Sequence, residues 1–190
     1  MQQESLLETL SEWQGGRMAK IYFICGFIGS GKTTYSKQLA MRSHGYRYNL
    51  DEWMIPLFGE HMERAVFDAR IESLTKLFKR QALTLLELGV PVIFDFGFWS
   101  RADRQSIRNW AISQQLDFQF VYLDSDYELC CERAKQRNQT IKQGQQQNTF
   151  EMTPEMLALF WSQFEVPNDA EREQMICVAP NSANVIRDGQ

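Results

Sequence analysis

The chain of 190 residues has no apolar run approaching the roughly 18–20 residues that a membrane-spanning helix needs, which argues against a membrane protein. Basic residues are not in excess: 20 Lys and Arg stand against 24 Asp and Glu, a net charge of −4. A dedicated nucleic-acid binder would carry a basic footprint, so a nucleic-acid partner is not expected, and only a local basic groove could provide one. Histidine is scarce, and neither His44 nor His61 has a neighbour at metal-ligand spacing. The four cysteines (Cys25, Cys130, Cys131, Cys177) form neither a metal pattern nor a disulfide framework. Cys25 and Cys177 fall in apolar strand-like runs and are expected as reduced, buried thiols. Met1-Gln2-Gln3-Glu4 has no positive n-region, so a signal peptide is not expected and the cytoplasm is the natural setting.

What is present centres on Gly26-Phe27-Ile28-Gly29-Ser30-Gly31-Lys32-Thr33-Thr34, which reads G-x-x-x-x-G-K-[ST], the phosphate-binding P-loop. Lys20 to Cys25 before it is a short β-branched and aromatic run, and Lys32 to Arg42 after it has no Gly or Pro. Strand, glycine loop and helix in that order is the context the motif requires. Glycines let successive backbone N–H groups point inward as an anion nest, and the helix N-terminus adds partial positive charge. Gly26, Gly29, Ser30, Gly31, Lys32, Thr33 and Thr34 are therefore the expected nucleotide-binding residues, with Lys32 on the β- and γ-phosphates and the Thr33 hydroxyl on Mg²⁺.

Residues 1–14 place Leu6, Leu10 and Trp13 on one helical face, an accessory helix over 1–17 ahead of a single domain over 18–190. Tyr46 to Leu50 reads as the second strand with Asp51 at its end. Asp51 to Gly59 reads as a helical turn and loop stopped by Pro56 and Gly59. A long helix is expected from about Glu63 to Leu88, a third strand over 90–95, and a helix from Arg101 to about Gln115 with Ser100 and Asp103 as a capping box. Phe118 to Leu123 is the fourth strand, and 126–138 a charged helix. The glutamine-rich 139–147 is a flexible loop within a lid of about 133–150, and Met156 to Phe164 a helix capped by Thr153. Met175 to Ala179 is the fifth strand. Five apolar strands separated by helices predict a three-layer α/β fold with a parallel sheet, its site at the carboxyl ends of the strands.

Asp95 closes the apolar run Val92-Ile93-Phe94, an arrangement suited to holding Mg²⁺; an ordinary strand-end acid is the alternative. Phe96 follows it where water-activating ATPases commonly carry glutamate, which favours transfer to a hydroxyl over hydrolysis. Asp51, nineteen residues after Lys32, is the candidate base or orienting carboxylate for that hydroxyl. Arg101 opens a helix where the macrodipole disfavours a cation, and Arg104 follows one turn on; both could reach a substrate or γ-phosphate, or be surface residues. Arg133 and Arg137 lead into the glutamine-rich loop, as a lid closing over phosphates would require, or form a charged face with Glu128 and Glu132. Trp53, Phe98 and Trp99 follow strand ends and line an acceptor pocket or pack internally.

The P-loop, the acid after strand two, Asp95-Phe96-Gly97-Phe98-Trp99-Ser100-Arg101-x-x-Arg104, Glu132-Arg133-x-x-x-Arg137-Asn138 and Phe164-Glu165-Val166-Pro167-Asn168-Asp169-Ala170-Glu171 resemble the P-loop kinase-like proteins usually labelled AAA-family ATPases. That group is similar to polynucleotide kinase, chloramphenicol phosphotransferase and the zeta toxins. The resemblance spans nearly all of residues 19–180. It implies a nucleoside-kinase-like sheet of order 2-3-1-4-5, and ATP with Mg²⁺. It also implies Lys32 and Thr33 on the phosphates, Asp51 as acceptor-side base, and lid arginines on the transferring phosphate. A small-molecule acceptor is expected. A nucleic-acid 5′-hydroxyl kinase, a nucleotide switch without acceptor and a nucleotide-sugar kinase are the alternatives.

Overall fold

β1 (Ile21–Cys25) has almost no polar side chain to solvate, and the fold places it in the middle of the sheet with its backbone paired on both sides. The computed structural model describes residues 19–59, 62–142 and 151–180. The expected helix around Leu6, Leu10 and Trp13 and residues 143–150 of the expected lid lie outside the described residues. From β1 the chain runs through α1 (Lys32–Ser43), β2 (Tyr46–Asn49), α2 (Leu50–Phe58) and α3 (Arg64–Glu87) to β3 (Val92–Gly97). It continues through α4 (Arg101–Ser113), β4 (Phe118–Leu123), α5 (Tyr127–Lys142), α6 (Pro154–Gln163) and α7 (Asp169–Arg172) to β5 (Met175–Val178). The strands pair in parallel in the order β2-β3-β1-β4-β5, as the family resemblance implies.

Period-two alternation sorts the strand residues into two cores. Ile21, Phe23 and Cys25 face one side with Val92, Phe94 and Phe120, under Phe78, Ala82 and Leu86 of α3 and Ile107 and Ala111 of α4. Ile24, Ile93, Val121 and Leu123 face the other side, against Tyr35 and Leu39 of α1. Phe23 is the hub of the larger core, with ring centroids 5.0 Å from Phe120 and 5.7 Å from Phe98. Truncating such a ring to alanine costs about 3–5 kcal/mol.

Three expectations are corrected here. The second strand stops at Asn49, because its side chain turns to cap α2 by accepting from the Glu52 amide; Asp51 therefore sits in the first helical turn. The stretch to Gly59 is one helix that runs through Pro56, held down by the fully buried Met54 and by Trp53 against Phe78 at 5.3 Å. Gln139 to Lys142 continue α5 as helix rather than loop. The missed α7 carries its own capping box, Asn168 with Glu171.

The end of β3 is irregular where it matters. Phe23 is opposite Phe94 but Cys25 is opposite Gly97, so β3 carries one residue more than β1 across Asp95 and Phe96. Such bulges re-aim side chains beside active sites. Phe98 follows with φ 45, a conformation costly for a bulky residue.

Candidate active site

The P-loop curls between the end of β1 and the start of α1, pressed against α5. At Gly29 (φ +81) a Cβ would lie 2.3 Å from the Cys130 carbonyl oxygen, so only glycine allows the loop this close to α5. Gly31 caps α1 without any side-chain hydrogen bond, and no acidic residue occupies the first turn. The first amides and the positive end of the dipole are thus left for an anion. Within the loop, Lys32 Nζ donates to the Phe27 carbonyl at 2.6 Å, and the buried Ser30 hydroxyl has no partner. Thr33 and Thr34 face solvent at the loop mouth. Phe27 anchors the loop from behind, buried against Trp99, Trp161 and Phe164, with the Trp161 ring edge-on at 4.9 Å.

Asp51 lies exposed in the first turn of α2, where desolvation by the surrounding protein pushes its carboxyl pKa up, against the opposing pull of Lys32 and Arg137. Desolvation likewise pushes the Lys32 ammonium down, with Asp95 and Asp51 among the charges that resist it. Arg137, on α5, is also pushed down by desolvation; Asp51 opposes the shift, and its buried Nε has no partner. Residues far apart in sequence thus act on one another's charge: Asp51, Lys32 and Arg137. Arg133, one turn earlier, donates Nη1 to the Ser30 carbonyl at 3.4 Å and Nη2 to Pro180 at 3.2 Å, bridging the loop to the end of β5. Asn138 donates to the Met152 carbonyl at 2.6 Å and accepts from its amide at 3.1 Å, tying α5 to the segment before α6.

Asp95 is buried, 3 % exposed. Its Oδ2 accepts from Ser36 at 2.9 Å, Arg47 Nη1 at 2.8 Å and Asn49 at 3.1 Å, while Oδ1 has no partner. A buried carboxylate oxygen left unpaired, near the open helix end and the exposed Thr33, fits a Mg²⁺ site built from Thr33 and Asp95. Among the described residues no cluster of three or more His, Cys, Asp or Glu offers a separate metal centre.

The two helix-opening arginines separate. Arg101 is exposed, and its backbone amide donates to the Glu165 carboxylate. Arg104 is 2 % exposed and engaged with Glu171 and three carbonyls, a clamp between α4 and the segment around α7. The motif pattern placed both arginines on one face, yet the core-facing stripe of α4 (Arg104, Ile107, Ala111) takes only the second. Trp53 is half-buried against Phe78. Cys25 is buried as expected, but Cys177 is exposed, since it lies with the exposed Ile176 on the edge strand β5. The residues that sequence reasoning missed are Arg47, Ser36 and Asn49 around Asp95. The available signal was a lone arginine in the strand Tyr46-Arg47-Tyr48-Asn49, which, once buried, requires a buried acid.

The model of the AAA domain family matches residues 21–167. Among curated proteins, none matches the sequence. Among solved structures, the chain is similar to a component of the Pnkp1/Rnl/Hen1 RNA repair complex (20% identity, TM-score 0.60), with 78% of this chain covering 44% of that one. It is also similar to Kti12 of Chaetomium thermophilum, solved with ADP-AlF3 (17% identity, TM-score 0.60, 84% of this chain and 88% of that one). A third is the APS kinase CysC of Mycobacterium tuberculosis, solved with AMPPNP and APS (16% identity, TM-score 0.57, 89% and 95%). At these identities the likeness is one of fold.

Proposed function

The chain belongs to the AAA domain family, and on that premise we propose that it is an ATP-dependent phosphotransferase that moves the γ-phosphate to a hydroxyl of a small molecule. The carrying observation is the P-loop open at the start of α1 beside the buried, unpaired Asp95 Oδ1, with Lys32 and Arg137 among the charges that act on Asp51. Asp51 takes the acceptor's hydroxyl proton as that oxygen attacks the γ-phosphorus. The bond to the β–γ bridging oxygen breaks, and ADP leaves. Lys32, Arg133 and Arg137 stabilise charge on the transferring phosphoryl oxygens. Mg²⁺, when bound, neutralises charge across the β- and γ-phosphates; Thr33 through its hydroxyl and Asp95 through Oδ1 would hold it.

Phe96 in place of an acid after Asp95 supports transfer over hydrolysis. The net charge of −4 supports a small acceptor over a nucleic-acid strand. Arg101, exposed at the start of α4, is the remaining arginine for acceptor contact. The reading sets the enzyme in the cytoplasm, where ATP and Mg²⁺ are supplied. The test is to screen small-molecule and oligonucleotide acceptors with ATP by mass spectrometry for an added phosphate, comparing wild type with Asp51→Asn and Lys32→Ala. A phosphorylated small molecule that both variants fail to make is the expected result. Acceptor-dependent transfer undiminished in Asp51→Asn would overturn the assigned base.

A further inference from the structure

Arg47 belongs to none of the motifs, yet it pairs with two carboxylates beside the candidate cation site. Only 8% of its side chain is exposed, and its fork is divided: Nη1 donates to Asp95 Oδ2 at 2.8 Å while Nη2 pairs with Glu52 Oε1. An arginine serving one carboxylate would normally lay both arms on it. Here each arm serves a different element. Asp95 lies on β3 and carries the free oxygen of the candidate cation site. Glu52 lies in the first turn of α2, next to Asp51.

We infer that Arg47 is a positioning residue for the phosphotransfer reaction: one arm holds Asp95 so that only Oδ1 is offered to the cation, and the other fixes the turn that carries Asp51. This inference rests on the phosphotransferase reading. Three donors crowd Oδ2, those of Ser36, Arg47 and Asn49, so the carboxylate cannot rotate without breaking all three bonds.

The measurement is ADP affinity by calorimetry with and without Mg²⁺, which needs no acceptor and no turnover. Arg47→Gln removes the charge but keeps a donor for Asp95. Arg47→Lys keeps the charge. The ratio of metal-free to Mg²⁺-containing dissociation constants is expected to fall about tenfold in both Arg47→Gln and Arg47→Lys, because neither side chain holds Asp95 and Glu52 at once, and to fall toward one in Asp95→Asn. A purely structural arginine would lower melting temperatures and leave the ratio unchanged, and an arginine acting by its charge alone would spare Arg47→Lys. Either of those results overturns the inference. Wild-type protein that fails to bind ADP overturns the phosphotransferase reading itself, and the role of Arg47 with it.

Discussion

Arg104 and Glu171 form a two-point ion pair between α4 and α7, with Nε donating to Oε1 at 2.8 Å and Nη2 to Oε2 at 3.1 Å. The remaining arm, Nη1, donates to the carbonyls of Phe98, Trp99 and Glu165 at 2.9–3.2 Å. The pair therefore fastens the left-handed Phe98, the start of α4 and the segment before α7 in one place. Removing one partner of a buried pair costs about 3–5 kcal/mol, because the other is left uncompensated. Arg104→Met is expected to lose about that much stability in urea unfolding. Arg104→Lys, which keeps the charge and loses the fork, is expected to retain ADP affinity within about threefold below its melting point. A large selective loss of ADP or acceptor binding in Arg104→Lys would restore the substrate role that its helix position suggested.

The same pair has a pH signature. Hydrogen bonding to Arg104, first among the causes, holds the Glu171 carboxyl pKa below its ordinary value of 4.5. The folded state binds this proton less tightly than the unfolded chain, so the stabilisation is fully present above the unfolded pKa. It is lost as pH falls through the lower folded pKa. Urea unfolding of wild type and Glu171→Gln between pH 7 and pH 3 is expected to show the gap between them closing toward the acid end.

Gly29 and Gly59 have nearly the same backbone angle, φ +81 and φ +78, in opposite surroundings. A Cβ at Gly29 meets the Cys130 backbone at 2.3 Å, whereas at Gly59 it meets nothing within 4 Å. Gly59→Ala should cost only the backbone strain of its φ 78, ψ −180 conformation, about 1–3 kcal/mol, with ADP binding intact. Gly29→Ala must move the P-loop or α5, and should lose ADP binding by more than tenfold. Equal effects at the two sites, in parallel calorimetry and thermal melts, would show that the approach of the loop to α5 does not matter.

Burial pushes the Cys25 and Cys130 thiols up to about 11. Neither has appreciable thiolate at neutral pH, and neither is open to a reagent. Iodoacetamide at pH 7.5 followed by peptide mapping should modify the exposed Cys177 first and leave Cys25 and Cys130 untouched until the protein is unfolded.

Local chemistry explains what could be read from the sequence. The P-loop is legible because its glycines, Lys32 and Thr33 do their work at fixed spacing, and Phe118–Leu123 because an apolar run between turns has few other uses. Asn49 misled because a capping side chain looks like one more strand residue until its partner, the Glu52 amide, is known. Pro56 read as a stop, but the buried Met54 holds the helix through it. Arg47 and Arg104 were opaque for a different reason. Whether an arginine is a surface cation or an interior clamp depends on Asp95 and Glu171, 48 and 67 residues away. Pairings of that range leave no periodic trace.

Asp51 supplies the sharpest functional test, because its environment displaces it in a known direction. Desolvation raises its pKa above the ordinary 3.8, with Asp95 and Glu52 adding to the rise and Lys32 and Arg137 limiting it. A base must be deprotonated to work, so activity is present above that raised pKa and falls as pH drops through it. The acid limb of kcat/KM should therefore lie at higher pH than an ordinary aspartate would give, in rates measured from pH 4 to 8 with an acceptor from the phosphate screen. Lys32 and Arg137 act on this limb with known sign: Arg137→Met removes a cation and should move it further up. Asp51→Asn should abolish the limb and lower kcat by about 10²–10⁴-fold, with ADP affinity retained. An acid limb that persists in the residual activity of Asp51→Asn would assign the titration to another group and remove Asp51 as the base.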